Sequence, residues 1–330
     1  MRSRLRPGQS HDAAHARMIL MNTVGPRVIA LTVLGVSVLI TAGCGSGDDG
    51  GGGGSDGLTV VAGFYPLEWT AARVGGDRIS VSSLTPPGAE AHDLELAPQD
   101  VAAVGEADLL VYLDGFQPAL DEAAESEGGD HAWDAGEAAD LTAGEAHAEH
   151  AGEEEHDALD PHFWLDPTRL ASVGDALAER LGEIDPDGAA AYEQNAAALR
   201  ADLEALDGEM QDGLADCATD TLVTGHDAFG YLAGRYGLEV VGISGLSPSQ
   251  EPDPAQLAEI STLVGERGVT TVYTETLVDP AVAETVAQEA GVRTAVLDPI
   301  EGLTDESAGE DYLQVMRANL ATLQEGQSCS

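Results

Sequence analysis

From residue 58 onward, short apolar runs rich in β-branched residues alternate with stretches in which apolar positions return every three or four residues. That rhythm predicts βα units and a mostly parallel sheet. Residues 58–62, 79–84 and 109–113 read as strands, with helices over 67–74 and 98–106 between them and another near Leu120. Residues 167–184 read as a helix that starts on Asp166 as N-cap, with Pro167 at its first position. A longer helix is expected over 189–214, where Tyr192, Leu199, Leu203, Leu206 and Met210 keep helical spacing and Gly208 is the one breaker before the closing Gly213-Leu214. At a helical rise it would run about 39 Å, enough to cross from one lobe to another. The strand–helix rhythm then resumes. Strands at 221–224, 239–243, 269–273 and 294–297 alternate with helices at 228–236, 254–267 and 280–290, and a helix over 312–323 closes the chain. The fold class is therefore α/β: two Rossmann-like parallel-sheet lobes, 58–185 and 215–330, joined by one long rigid helix within 186–214.

Two stretches break the rhythm. Residues 125–157 lose apolar periodicity and fill with Gly, Ala, Asp and Glu. Such a composition buries too little apolar surface to offset its ordering entropy, so a mobile acidic loop is expected. It carries His131, His147, His150 and His156, which read either as an accessory cation collector or as scattered residues of a solvated insertion. Near the start, Arg2, Arg4, Arg6, Arg17 and Arg27 precede an apolar run over 28–40. That run is too short to span a membrane and suits a secretory signal over 1–43. The small residues before Cys44 form a lipobox-like site at which the Cys is lipidated; an ordinary signal with an incidental Cys is the alternative. Residues 44–57 then form a Gly, Ser and Asp tether with the composition of a flexible coil.

Charge narrows the partners. The chain has 14 basic residues, all Arg, against 59 acidic ones, for a formal net charge of -45. Nucleic acid is excluded and cations are favoured, although an acid-rich solvated surface accounts for the same balance. With 330 residues and 43% apolar content there is enough material for a real core. Cys217 and Cys329 remain after Cys44. In an exported, oxidising setting they either pair, closing a loop of about 110 residues, or leave Cys329 as a frayed terminal thiol.

The chemistry concentrates in Asp160-Pro161-His162-Phe163-Trp164-Leu165-Asp166, followed by Pro167. Each proline restricts itself and the residue before it, so His162 has few poses to lose on binding. Ligands of open parallel sheets bind outside the carboxyl ends of the strands. The loops expected there hold His92, His226, Glu275 and Asp298. Together with His162 these residues divide between the lobes, which places the site in the interlobe cleft. Three neutral imidazoles and one carboxylate suit Zn²⁺ at about 2.0–2.2 Å. Glu275 is open to three roles: ligand, acceptor that orients a ligating imidazole, or surface acid, the second being preferred.

These segments carry a family resemblance over nearly all of 58–323. Gly88-Ala89-Glu90-Ala91-His92-Asp93, Asp160-Pro161-His162-Phe163-Trp164-Leu165-Asp166-Pro167, Gly225-His226-Asp227-Ala228-Phe229-Gly230-Tyr231-Leu232 and Leu297-Asp298-Pro299-Ile300-Glu301-Gly302-Leu303 resemble, in order, the four ligand motifs of the substrate-binding lipoproteins of bacterial zinc and manganese ABC importers. The resemblance implies His92, His162, His226 and Asp298 as metal ligands. It also implies a monomeric, lipid-anchored, non-enzymatic protein outside the cytoplasm that delivers its ion to an ABC permease served by a separate ATPase subunit. Ala91 and Leu94 stand where the family commonly has a proline and an aromatic residue, so a looser His92 loop is expected. Manganese-type members resemble this chain but tend to carry Glu at the position of His226. The His-rich set favours Zn²⁺ over Mn²⁺. Three rivals stay open: Mn²⁺ or Fe²⁺ capture on the same scaffold, a zinc hydrolase with Glu275 as general base and an open fourth position, and an adhesin or zinc buffer that never meets a permease. The chain has neither a His-Glu-x-x-His run nor a P-loop.

Overall fold

The computed structural model describes residues 57–142, 159–250 and 252–330. The expected signal, Cys44, nearly all of the tether, and His147, His150 and His156 lie outside the described residues. Strands β1 (Leu58–Ala62), β2 (Ile79–Ser83), β3 (Leu109–Tyr112) and β4 (Ala132–Asp134) form one sheet in the order β2-β1-β3-β4. Strands β5 (Thr221–Thr224), β6 (Glu239–Gly242), β7 (Thr271–Thr274) and β8 (Arg293–Val296) form a second in the order β6-β5-β7-β8. Every strand pair is parallel, and the two lobes repeat one topology.

The apolar runs are continuous because each sheet is covered on both faces. Successive side chains point to opposite sides. Val60 and Ala62 of β1, with Leu109 and Val111 of β3, enter the large central core, while Val61 and Leu110 enter a separate outer cluster with Val104 and Leu120. The second sheet divides the same way, with Leu222, Val240 and Tyr273 inward and Val223, Val241 and Val272 outward.

Among the described residues, ten α-helices fill the layers: α1 (Tyr65–Gly75), α2 (Pro98–Glu106), α3 (Pro118–Ala123), α4 (Gly136–Ala139), α5 (Pro167–Ile184), α6 (Ala189–Leu214), α7 (Gly230–Tyr236), α8 (Pro254–Arg267), α9 (Ala281–Ala290) and α10 (Tyr312–Gly326). Helix α6 lies against α1 and α5 of the first lobe and against α7 and α10 of the second. Its buried stripe of Tyr192, Ala196, Leu199, Leu203, Leu206 and Met210 follows helical spacing. Among the described residues, no helix is long and apolar enough to cross a membrane.

Strand β4 corrects the expectation of a mobile loop over the first part of 125–157. Residues 132–134 join the sheet in register with β3, and helical turns over 124–131 lead into them. Ladder hydrogen bonds to an existing edge, with Trp133 packed on the core, supply what the poor apolar content withholds. His131 is set in this structure with its Nε2 3.0 Å from the Val104 carbonyl oxygen. At the far end of the chain, Cys217 and Cys329 are joined as a disulfide across a sequence separation of 112 residues. In the chain-entropy model, a closure of that length stabilises by roughly 4 to 5 kcal/mol.

Candidate metal centre

Four side chains from separate loops converge where the carboxyl ends of the two sheets face each other. His92, His162, His226 and Glu301 each offer one ligand atom, and these atoms lie within 4.8 Å of one another. His162 and His226 are fully buried, Glu301 is 1% exposed, and only His92 reaches the surface.

His92 stands on the loop after β2. Its backbone N–H donates to Glu90 Oε1 at 3.0 Å, and its ring lies edge-on to Phe116 with centroids 4.6 Å apart. The preceding residue is clasped, because Gln117 donates its amide N–H to the Ala91 carbonyl at 2.9 Å and also reaches Thr85. Ala91 thus has its own anchor in place of the stiffness a proline would bring.

His162 opens a tight turn, Phe163–Leu165, that runs into the Asp166 cap of α5. Asp160 Oδ1 accepts from both the His162 backbone N–H (2.9 Å) and ring Nδ1 (2.8 Å). Tyr231 of the second lobe donates its hydroxyl proton to the Asp160 carbonyl at 2.9 Å, and Asp160 N–H in turn donates to the Thr142 carbonyl at 2.9 Å.

His226 follows β5 and repeats the arrangement with a different carboxylate. Glu275, on the loop after the neighbouring β7, accepts the His226 backbone N–H through Oε1 at 2.9 Å and the ring Nδ1–H through Oε2. Gly225 permits this approach, since a Cβ there would fall 3.0 Å from Glu275 Oε1. With Nδ1 of both rings committed to carboxylates, Nε2 is the nitrogen that each ring turns toward the centre and that a metal ion would take in exchange for a proton.

The geometry brings Glu301, in place of the expected Asp298, to the three imidazoles. Asp298 is buried, but its Oδ1 accepts the Ile300 N–H at 2.8 Å and its Oδ2 the Ser307 hydroxyl at 3.0 Å. Glu301, three residues on, meets the imidazoles instead. Its Oε1 lies 3.2 Å from His226 Nε2, 3.6 Å from His162 Nε2 and 3.7 Å from His92 Nε2, and it accepts no hydrogen bond. Sequence reasoning passed over Glu301 although the same motif contains it.

The spacing identifies what would satisfy this orphaned oxygen. His92 Nε2 and His226 Nε2 lie 3.3 and 3.4 Å from His162 Nε2. Ligands about 2.0–2.1 Å from a tetrahedral ion are separated by about 3.3–3.4 Å along each edge. Three of the pairs, His92–His162, His162–His226 and His226–Glu301, therefore already lie near a tetrahedral edge without an ion between them.

Electrostatics agree with the geometry. Burial alone would lower the His226 imidazole, but the Glu275 and Glu301 carboxylates outweigh it and hold the ring well above its ordinary range. His162 is raised in the same way, with Asp160 and Glu301 overcoming burial, whereas burial prevails at His92 and lowers it. Burial opposes ionisation of Glu301, yet the three facing imidazoles bring its carboxyl well below the ordinary value. Burial and the neighbouring Glu301 push Glu90 up to about 8. The pocket favours positive charge, and a divalent ion would displace protons from it.

Residues 60–326 match the family model described as zinc-uptake complex component A, periplasmic. The zinc-binding lipoprotein AdcA of Streptococcus pneumoniae serotype 4 is 36% identical over 277 residues, covering 81% of this chain and 55% of AdcA. The chain thus spans about half the length of the AdcA relatives it matches. The high-affinity zinc uptake system protein ZnuA of Bacillus subtilis is 37% identical over 313 residues, covering 89% of this chain and 96% of that protein. Among solved structures, the Zn(II)-bound ZnuA-like domain of Streptococcus pneumoniae AdcA is similar with a TM-score of 0.68 and 34% identity, over 82% of this chain and 99% of that one.

Proposed function

The chain belongs to the periplasmic zinc-uptake complex component A family, and from that premise we propose that its cleft captures Zn²⁺ outside the cytoplasm and delivers it to an ABC permease. In this reading Zn²⁺ is cargo, Cys44 carries the lipid anchor at the cell membrane, and a separate subunit hydrolyses ATP. The observation that carries it is the convergence of His92, His162 and His226 with an unpartnered Glu301 oxygen at near-tetrahedral spacing.

A set of three imidazoles and one carboxylate favours Zn²⁺ over the harder Mn²⁺, which prefers more oxygen. Carriage fits this centre better than hydrolysis does. Glu301 takes the fourth direction that a hydrolytic zinc leaves to water, and both oxygens of Glu275, the general base that a hydrolase reading would call on, are engaged by His226.

Competitive titration of the purified protein with Zn²⁺ and Mn²⁺ tests the reading. The expected result is one tight equivalent of Zn²⁺ that is lost in His162→Ala and much weakened in Glu301→Ala. Selective retention of Mn²⁺, or full zinc binding by His162→Ala, would overturn it.

A further inference from the structure

We propose that Asp298 is a positioning residue for the metal centre: its carboxylate holds Ile300 in the backbone conformation that turns Glu301 onto the three imidazoles. This inference rests on the zinc-capture reading above and adds to it the residue that decides whether the fourth ligand is presented.

Ile300 has φ 59° and is fully buried. A β-branched residue is sterically penalised in that left-handed region, so surrounding interactions must impose the conformation. They are concentrated on Asp298. Its Oδ1 accepts the Ile300 N–H at 2.8 Å, which fixes the peptide plane entering the strained residue. Its Oδ2 accepts the Ser307 hydroxyl at 3.0 Å, and Ser307 Oγ accepts the Thr304 N–H at 3.2 Å, so the strap beyond Glu301 is drawn back to the same carboxylate.

Asp298 is itself immobilised by α10. Asn319 Oδ1 accepts the Asp298 N–H at 3.0 Å, and Asn319 Nδ2 donates to the Asp298 carbonyl at 2.7 Å. Between the clasp and the strained residue, the Pro299 carbonyl accepts the Trp164 indole N–H at 2.8 Å. The chain therefore has fixed points on both sides of Ile300, and Glu301 follows it directly. Relaxation of Ile300 to an ordinary φ would redirect the chain at Glu301 and leave a centre of three imidazoles. The Asp298 carboxylate touches none of the ring nitrogens of the cluster, so its effect on the ion runs through Glu301.

The test is a cycle of variants in the full protein, read by zinc affinity in chelator competition and by the visible absorption of the Co²⁺-substituted form, which reports the ligand set. Asp298→Ala is expected to weaken zinc binding by about 10- to 100-fold, the range for removing a partner that orients a ligand, and to shift the Co²⁺ spectrum toward that of Glu301→Ala. Asp298→Asn keeps an acceptor for the Ile300 N–H and should retain both affinity and spectrum. In a Glu301→Ala background, Asp298→Ala should add little further loss. If Asp298→Ala does not fold, Ser307→Ala serves in its place, with a smaller loss and a spectral shift in the same direction. A native affinity and Co²⁺ spectrum in Asp298→Ala, or in Ser307→Ala where that variant replaces it, would overturn the proposal. So would losses that add in full to that of Glu301→Ala. If Glu301→Ala weakens binding and Asp298→Ala does not, this inference alone falls; if Glu301→Ala binds zinc normally, the reading of the centre falls with it.

Discussion

Trp164, two residues past His162, donates its indole N–H to the carbonyl of Pro299, two residues before Glu301, at 2.8 Å. One hydrogen bond thus joins the ligand motif of the first lobe to that of the second. Trp164 is fully buried, its ring packs near Phe64 and Phe116, and its own carbonyl accepts the Tyr312 hydroxyl at 2.5 Å. The relation between His162 and Glu301 is built into the core, close to the four converging side chains.

Trp164→Phe tests that link. Phenylalanine keeps much of the apolar contact and removes the donor, leaving the Pro299 carbonyl buried without its partner. Such a loss costs about 1–3 kcal/mol. The metal-free melting temperature should fall, and zinc should bind more weakly because the segment leading to Glu301 loses a fixed point. Unchanged zinc affinity in the folded variant would reduce Trp164 to a core filler.

A second prediction concerns acid. Asp207 on α6 accepts a two-pronged contact from Arg235 of α7, at 2.6 and 2.7 Å, and Arg235 also lies 3.4 Å from Asp166, the cap of α5. The Arg235 hydrogen bonds hold the Asp207 carboxyl below its ordinary value of 3.8. The sign follows: a carboxyl depressed in the folded state stabilises fully above the unfolded value, and that contribution is lost as pH falls through the folded one. As pH falls from the ordinary value of 3.8 toward the depressed one, Asp207→Asn should therefore lose less stability than the native protein in denaturant titrations. Parallel pH profiles for the two would remove this pair as a contributor.

Most of the architecture was legible because it rests on burial periodicity. Parallel strands covered on both faces are continuous apolar runs, and helix α6 shows its buried stripe in the spacing from Tyr192 to Met210. The short strand β4 was not legible, because three residues with only Trp133 as a large apolar anchor sit in an acidic stretch. What makes them a strand is a pairing with β3 that local composition does not encode. The three histidines were legible from their loops: His92 after β2, His226 after β5, and His162 in the segment between Pro161 and Pro167. The carboxylate that meets them was not. Asp298 and Glu301 share one motif, and which of them faces the imidazoles turns on the left-handed Ile300, a conformation that isoleucine gives no reason to expect.

Glu275 provides the last prediction. Its carboxylate makes two contacts with one residue, accepting from both the backbone and ring N–H of His226. The first fixes the loop, and the second fixes the tautomer and raises the basicity of the ligating nitrogen. Glu275→Gln separates these effects, since an amide oxygen can still accept one N–H while the negative charge is gone. The metal-free melting temperature should fall less than in Glu275→Ala, because the nearly isosteric amide keeps its oxygen for one of the two buried N–H groups of His226. Zinc affinity in chelator competition should drop by about 10- to 100-fold, the range for losing a carboxylate behind a ligating imidazole. Glu275→Ala should lose at least as much affinity and also melt earlier, because the His226 backbone N–H loses its acceptor. Native zinc affinity in Glu275→Gln would mean that the hydrogen bond alone, without the charge, prepares His226. Native affinity in Glu275→Ala as well would mean that His226 is oriented by packing and that Glu275 plays no part in the metal centre.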